Sequence, residues 1–398
     1  MRQFQQWNRP LLHLSCARLP VPAFTDMAGK QPGREAAGVG VACFGAISGA
    51  QNNSPKKLRS KGNRNGWARL FSRLYLDSRL ALGRGSAYAR AMIFMRTCLA
   101  LVFLAATLNA AEEKPFMSFN NPPAKPIALE TNHVYESAVM GVKVGYNLYL
   151  PPGYGDPGNT NRYPVIYWLH GRGRTESNDQ FPPATVDAAI RSNVVPPLIF
   201  VYVSGGGMSF YSDSVDGKWM SETTIIKELI PHIDATYRTI ANRGGRAIQG
   251  MSMGGFGAMK LALKYPDLFG SVVAFAGGYR TAEEFQTVEI DREILNHVFG
   301  NDIGKFMANH PVTIAKANAD AVRDRVAIQM LVGLDDSLLE NNRWMHRTLT
   351  QLNLQHQYWE IPGVKHDISQ ISAWIGTAGL QFAASHFYSN TNSFKAQN

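Results

Sequence analysis

The sequence predicts an α/β fold: one mostly parallel central sheet with helices packed on both faces. Three observations predict it. Short, nearly all-apolar runs such as residues 163–169 and 198–203 read as strands buried on both sides. They alternate with longer stretches whose apolar residues recur at helical spacing, as in residues 223–237. Between a strand-like and a helix-like segment stands Gly250-Met251-Ser252-Met253-Gly254. Its Gly-x-Ser-x-Gly form suits a sharp strand-to-helix turn that lifts one serine hydroxyl above a sheet.

The elements follow in order. Residues 133–137 and 142–150 alternate apolar and polar positions, and Pro151-Pro152-Gly153 stops the second run. They read as an antiparallel pair. Residues 163–169 form the first buried strand, 184–194 a helix and 198–203 the next strand. In residues 223–237, Ile225, Ile226, Leu229, Ile230 and Ile233 share one stripe of a predicted helix. The turn-like Arg243-Gly244-Gly245 leads into a strand at 246–249, the serine turn, a helix ended by Pro266, and a strand at 271–276. Residues 279–325 suggest helices inserted beyond the core. A strand at 326–332, a helix at 339–352, a last strand at 356–361 and a closing helix at 369–387 complete the domain.

Composition separates the chain into unlike parts. The 398 residues carry a formal net charge of +10, which alone would suggest an anionic partner. Residues 1–96 hold a net +13, and the remainder is slightly acidic. The basicity belongs to the N-terminal segment, so a nucleic-acid reading of the main domain loses its support. Residues 1–91 lack sustained periodicity and read as a disordered or non-native basic extension. Residues 92–111 carry a short charged start at Met92 to Arg96, an apolar run over 97–108 and a small-residue end, the form of a secretory signal peptide. Translation is therefore expected to begin at Met92 or Met95, with a retained basic tail and uncleaved anchor as the alternative. Residues 112–127, polar and Pro-rich, read as a tether, and 128–390 as the folded domain. Cleavage near Ala110 or Ala111 would leave roughly 287 residues, a size that suits one domain. Cys16, Cys43 and Cys98 all precede that point, so the mature domain would lack disulfides, a thiol nucleophile and Cys-ligated metal.

A serine hydroxyl is a weak nucleophile at neutral pH. It needs a histidine to take its proton and an acid to orient that histidine. With the nucleophile on such a turn, the acid should follow a late strand and the histidine the last one. The strand at 326–332 is followed by Asp335 and Asp336, the strand at 356–361 by His366. His232, His346 and His386 fall in helical stretches, His356 opens a strand, and His133, His297 and His310 have no evident partner. Two backbone N–H groups should hold the developing oxyanion. One is that of Met253; the other comes from Gly171 or Arg172, in the loop Leu169-His170-Gly171-Arg172-Gly173-Arg174. His170, on that loop and ahead of the serine, suits a backbone role. Gly250 and Gly254 leave room for the turn. Arg172 and Arg174 read as solvated loop residues or as partners of an acidic substrate.

Several stretches together carry a resemblance: 145–154, 168–171, 228–234, 250–256, 333–338 and 363–367. In these the chain resembles the esterase D-like family of α/β-hydrolases, which includes carbohydrate esterase family 1, the feruloyl and acetylxylan esterases. The resemblance covers about residues 130–388 and implies the α/β-hydrolase fold. It favours Asp336 over Asp335, because the family's acid stands three residues after a glycine. The family's histidine usually follows Gly-Gly or Gly-x-Gly; here Gly363-Val364-Lys365 precedes it, a mild departure.

The expected chemistry is two-step acyl transfer through Ser252, His366 and Asp336, with no cofactor and no metal. A signal peptide would make the enzyme secreted or periplasmic, meeting the membrane only during export. The resemblance suggests feruloyl or acetyl esters of carbohydrate as substrate. Rival readings are an acyltransferase using a carbohydrate hydroxyl as acceptor, an S-formylglutathione hydrolase-like thioesterase, and a non-catalytic binding module. Specificity falls to 205–221 and 279–325, where Phe210, Tyr211 and Trp219 would either stack on a ring or pack inside.

Overall fold

A computed structural model describes residues 116–178 and 181–387. The basic extension, the signal segment and all three cysteines lie outside the described residues. Within the described residues the chain builds one eight-stranded sheet. The strands are β1 (Thr131–Ser137), β2 (Val142–Tyr149), β3 (Val165–Leu169), β4 (Ile199–Val203), β5 (Arg246–Met251), β6 (Ser271–Phe275), β7 (Ala327–Gly333) and β8 (His356–Ile361). Their spatial order is β1-β2-β4-β3-β5-β6-β7-β8. β2 runs antiparallel to both its neighbours, β1 and β4, and every other neighbouring pair is parallel.

Side-chain alternation explains why the central strands are apolar throughout. Val165, Tyr167 and Leu169 of β3, with Ile199, Val201 and Val203 of β4, enter one core. Ile166 and Trp168, with Phe200 and Tyr202, enter the other. Each strand therefore feeds two cores and has no polar face to show. The first core is covered by α4 (Met253–Lys264), α6 (Glu289–Phe299) and α8 (Pro311–Val322), among others. The second is covered by α1 (Pro183–Arg191), α10 (Ile368–Ile375) and α11 (Ala378–Ser385). Helices lie on both faces, as the periodicity predicts.

Three expectations are corrected. The helix expected over 223–237 is composite: α2 (Ser221–Thr223), a π-helical stretch (Thr224–Leu229), then α3 (Ile230–Thr236). The closing helix breaks at Gly376, whose φ of 58° is left-handed, so α10 and α11 are separate. The expected tether is docked: Met117 and Phe119 are buried, Gly145 donates to the Phe119 carbonyl at 2.7 Å, and Phe116 stacks on His297. These apolar side chains, hidden among prolines and asparagines, find the sheet edge only in three dimensions.

The inserted region 279–325 is helical: α5 (Ala282–Thr287), α6, α7 (Ile303–Ala308) and α8. After β7 the chain forms α9 (Leu339–Gln351). Since β3, β5, β6, β7 and β8 are parallel, the loops leaving their C-terminal ends gather along one rim of the sheet, where ligands bind in folds of this type.

Candidate active site

Ser252 stands between β5 and α4 with φ 59° and ψ −117°, a conformation side-chain-bearing residues rarely adopt. The surroundings impose it. Its N–H donates to the Phe275 carbonyl at 2.9 Å, and its own carbonyl accepts from Phe256 at 2.9 Å and Gly278 at 2.8 Å. The glycines of the motif are sterically required. A Cβ on Gly254 would lie 1.9 Å from the Leu169 carbonyl oxygen, and one on Gly250 would lie 2.5 Å from the Gly254 oxygen. Both obstacles are backbone, so α4 sits against the end of β3 only because no side chain intervenes.

His366 comes from the loop after β8. Gly363, with φ 69°, turns that loop, the one glycine sufficing where the related pattern has two. Asp367 is a helix cap: its Oδ1 accepts from Ser369 at 2.7 Å and Gln370 at 3.1 Å, starting α10 directly behind His366. His366 Nε2 lies 2.9 Å from Ser252 Oγ, and its Nδ1 lies 2.8 Å from Asp336 Oδ2. The other Asp336 oxygen accepts from the Leu338 N–H at 2.7 Å. Asp336 is buried whereas Asp335 is exposed, so the geometry separates the two carboxylates that the sequence set side by side. This is the arrangement in which an imidazole can draw a proton from a hydroxyl while a carboxylate holds its tautomer.

The residues expected to hold an oxyanion lie on two segments that meet at the Ser252 turn. Met253 is the first residue of α4, and Arg172 follows β3 by three residues. Among the described residues no group accepts from the backbone N–H of either. His170 is buried: its Nδ1 is 2.9 Å from the Gly171 carbonyl, and its Nε2 accepts from Gly205 at 3.2 Å. It pins the loop and is not a base toward Ser252. Tyr211 donates its hydroxyl to the His170 carbonyl at 2.8 Å. Phe210, Tyr211 and Trp219 are all buried, so they pack inside the domain instead of offering a stacking surface.

Several supports had no clear sequence signal. Asn342 of α9 accepts from the Gly277 N–H at 3.1 Å and donates to the Gly277 carbonyl at 3.0 Å, bracing the loop after β6. Lys260 of α4 is fully buried, donating to the Tyr211 carbonyl at 2.8 Å and Ser212 Oγ at 2.7 Å and pairing with Glu222 at 2.8 Å. Burial lowers the Lys260 ammonium against the pull of Glu222. Burial would raise the Glu222 carboxyl, but Lys260, Lys264 and Tyr265 outweigh it and bring it down to about 2. Arg172 is neither simply solvated nor unpaired: its guanidinium contacts Asp291 of α6, while Arg174 is exposed. The polarity of Asn342 and the charge of Asp291 were visible in the sequence, but not their place at the rim.

Fold and rim together define the class of protein: an α/β-hydrolase fold with a serine, a histidine and an aspartate hydrogen-bonded in line at its rim. The family model described as "Putative esterase" matches residues 137–381, and the chain belongs to that family. An esterase of Mycobacterium tuberculosis is 29% identical over 255 residues, which are 58% of this chain and 54% of that one. The chain thus spans about half the length of this relative. An endo-1,4-beta-xylanase/feruloyl esterase of Xylanibacter ruminicola is 34% identical over 161 residues, 38% of this chain and 22% of the other. A solved ferulic acid esterase superposes with a TM-score of 0.55 at 25% identity, covering 65% of this chain and 98% of that structure.

Proposed function

We propose that this protein hydrolyses carboxylic esters through Ser252, His366 and Asp336. The observation that carries the reading is the unbroken hydrogen-bonded line from Ser252 Oγ through His366 to the buried Asp336 carboxylate. His366 Nε2 takes the Ser252 proton as Oγ attacks the ester carbonyl. The carbonyl oxygen becomes an oxyanion held by the N–H groups of Met253 and of Gly171 or Arg172. The tetrahedral intermediate collapses, and His366 returns its proton to the leaving alcohol. Water, deprotonated by His366, then attacks the acyl-serine; the carboxylic acid leaves and Ser252 is restored. Neither metal nor cofactor takes part in this scheme.

The substrates in this reading are acyl decorations, feruloyl or acetyl, on carbohydrate. The support is that relatives from two separate comparisons carry the name feruloyl or ferulic acid esterase. Export, read from the pattern of residues 92–111, agrees with a polymeric substrate outside the cytoplasm. The test compares release of 4-nitrophenol from its acetate ester by the wild type and by Ser252→Ala. A fall of three or more orders of magnitude is expected, on the order of that seen when a triad serine is removed. Equal rates would refute the mechanism. A panel of feruloyl, acetyl and longer-chain esters then assigns the acyl group.

A further inference from the structure

Asp291 is an aspartate whose side chain has no exposure at all, at the rim of the candidate site. Two arginines meet it. Arg172 Nη1 contacts Oδ1 from the oxyanion loop, and Arg280 Nε lies 3.0 Å from Oδ2. Arg280 stands two residues beyond Gly278, whose N–H donates to the Ser252 carbonyl. The two guanidiniums therefore come from separate loops, each of which touches the Ser252 turn through its backbone, and meet at one carboxylate. Burial raises the Asp291 carboxyl, and the Arg172 and Arg280 charges oppose that rise.

One carboxylate does not use up two guanidiniums. Among the described residues no other group accepts from the remaining N–H groups of Arg172 or Arg280, and their side chains are 30% and 23% exposed. The nearest further acid, Glu284, is engaged: its Oε2 accepts from Thr281 N at 2.8 Å and Asn341 Nδ2 at 2.6 Å. Partly exposed donors, paired to a buried carboxylate on loops that touch the Ser252 turn, suit a planar anion, which guanidinium binds with directed hydrogen bonds.

We propose that Arg172 and Arg280, clamped by Asp291 beside Ser252, form a subsite for a carboxylate carried by the ester substrate. The proposal rests on the ester-hydrolase reading and narrows it to anionic esters. The carboxylate can reside on the acyl or on the alcohol side, and two matched pairs distinguish these. Mono-4-nitrophenyl glutarate is compared with 4-nitrophenyl pentanoate, and 4-acetoxybenzoate with methyl 4-acetoxybenzoate.

In one pair the wild type should favour the anionic ester in kcat/KM by about tenfold, the worth of one or two charge-assisted hydrogen bonds. The preference should shrink at high salt. Arg280→Gln should bring that ratio close to one. Free glutarate should also inhibit the wild type competitively and more strongly than glutaramide, a measurement that needs no variant to fold. A wild-type ratio at or below one in both pairs overturns the subsite, as does an equal loss on both esters in Arg280→Gln with no glutarate inhibition. If no ester is turned over and a fluorophosphonate leaves Ser252 unlabelled, the esterase reading fails and the subsite with it.

Discussion

At Ser252 the backbone holds φ 59° and ψ −117° because three hydrogen bonds and two glycine contacts leave nothing else. Such a conformation costs a side-chain-bearing residue about 1–3 kcal/mol. Ser252→Gly should release part of that cost while removing the hydroxyl. The melting temperature is expected to rise by about 2–4 °C per kcal/mol recovered, and ester hydrolysis to vanish; calorimetry beside a 4-nitrophenyl acetate assay reads both. A melting temperature that falls would mean the turn is unstrained. Gly254→Ala should do the opposite. Its Cβ would meet the Leu169 carbonyl oxygen at 1.9 Å, and neither backbone can step aside. A loss of at least ~3 kcal/mol in urea unfolding is expected, and a stable, active variant would contradict the close approach.

Among the elements, α4 does more than carry the nucleophile. Its Lys260 holds the Tyr211 carbonyl, and the Tyr211 ring packs where Gly205 and Gly257 leave room. Through its hydroxyl, Tyr211 then grips the His170 carbonyl on the loop after β3. Tyr211→Phe deletes that hydrogen bond and keeps the ring. The expected result is a fall of about tenfold in kcat/KM with only ~1 kcal/mol of stability lost. An unchanged rate would show that the loop is held without Tyr211. Element types were legible because periodicity of 2 or 3.6 is written in adjacent residues, as in 163–169 and 339–351. The π-helical stretch at Thr224–Leu229 and the break at Gly376 were not. Both depend on what the helix packs against, which local periodicity does not encode.

At the scale of the whole molecule, two buried groups among the described residues, His310 and Glu222, weaken the fold toward acid. His310, buried at the start of α8, accepts from Val312 N, and burial pushes its pKa down to about 3. In the unfolded chain it protonates near its ordinary value of 6.5. Unfolding thus gains protons as pH falls, and stability is lost progressively below about 6.5. Glu222 is depressed to about 2 from an ordinary 4.5, so its contribution is complete above 4.5 and disappears as pH falls through 2. Urea midpoints measured from pH 7 to pH 3 should fall throughout, with His310→Gln flattening the upper part of that decline. Glu222→Gln should cost about 3–5 kcal/mol at pH 7 by stranding Lys260. Midpoints independent of pH would contradict both assignments.

The sequence by itself determined the alternation of strands and helices, and with it the parallel sheet. It also determined the candidate trio down to the pair Asp335-Asp336, because Ser252, that pair and His366 each lie in the segment that follows a strand and chain order follows sheet order. Local pattern suffices there: a buried parallel strand must end at the rim, so whatever follows it arrives at the site. The family resemblance favoured Asp336 over Asp335, and only the tertiary structure shows the physical difference: Asp336 is buried against His366 and Asp335 is exposed. Only the tertiary structure gave His170 its buried bracing role and joined Arg172 to Asp291, 119 residues apart. Those are long-range pairings between loops and inserted helices, where no periodicity constrains the partner and only the packed chain brings the charges together.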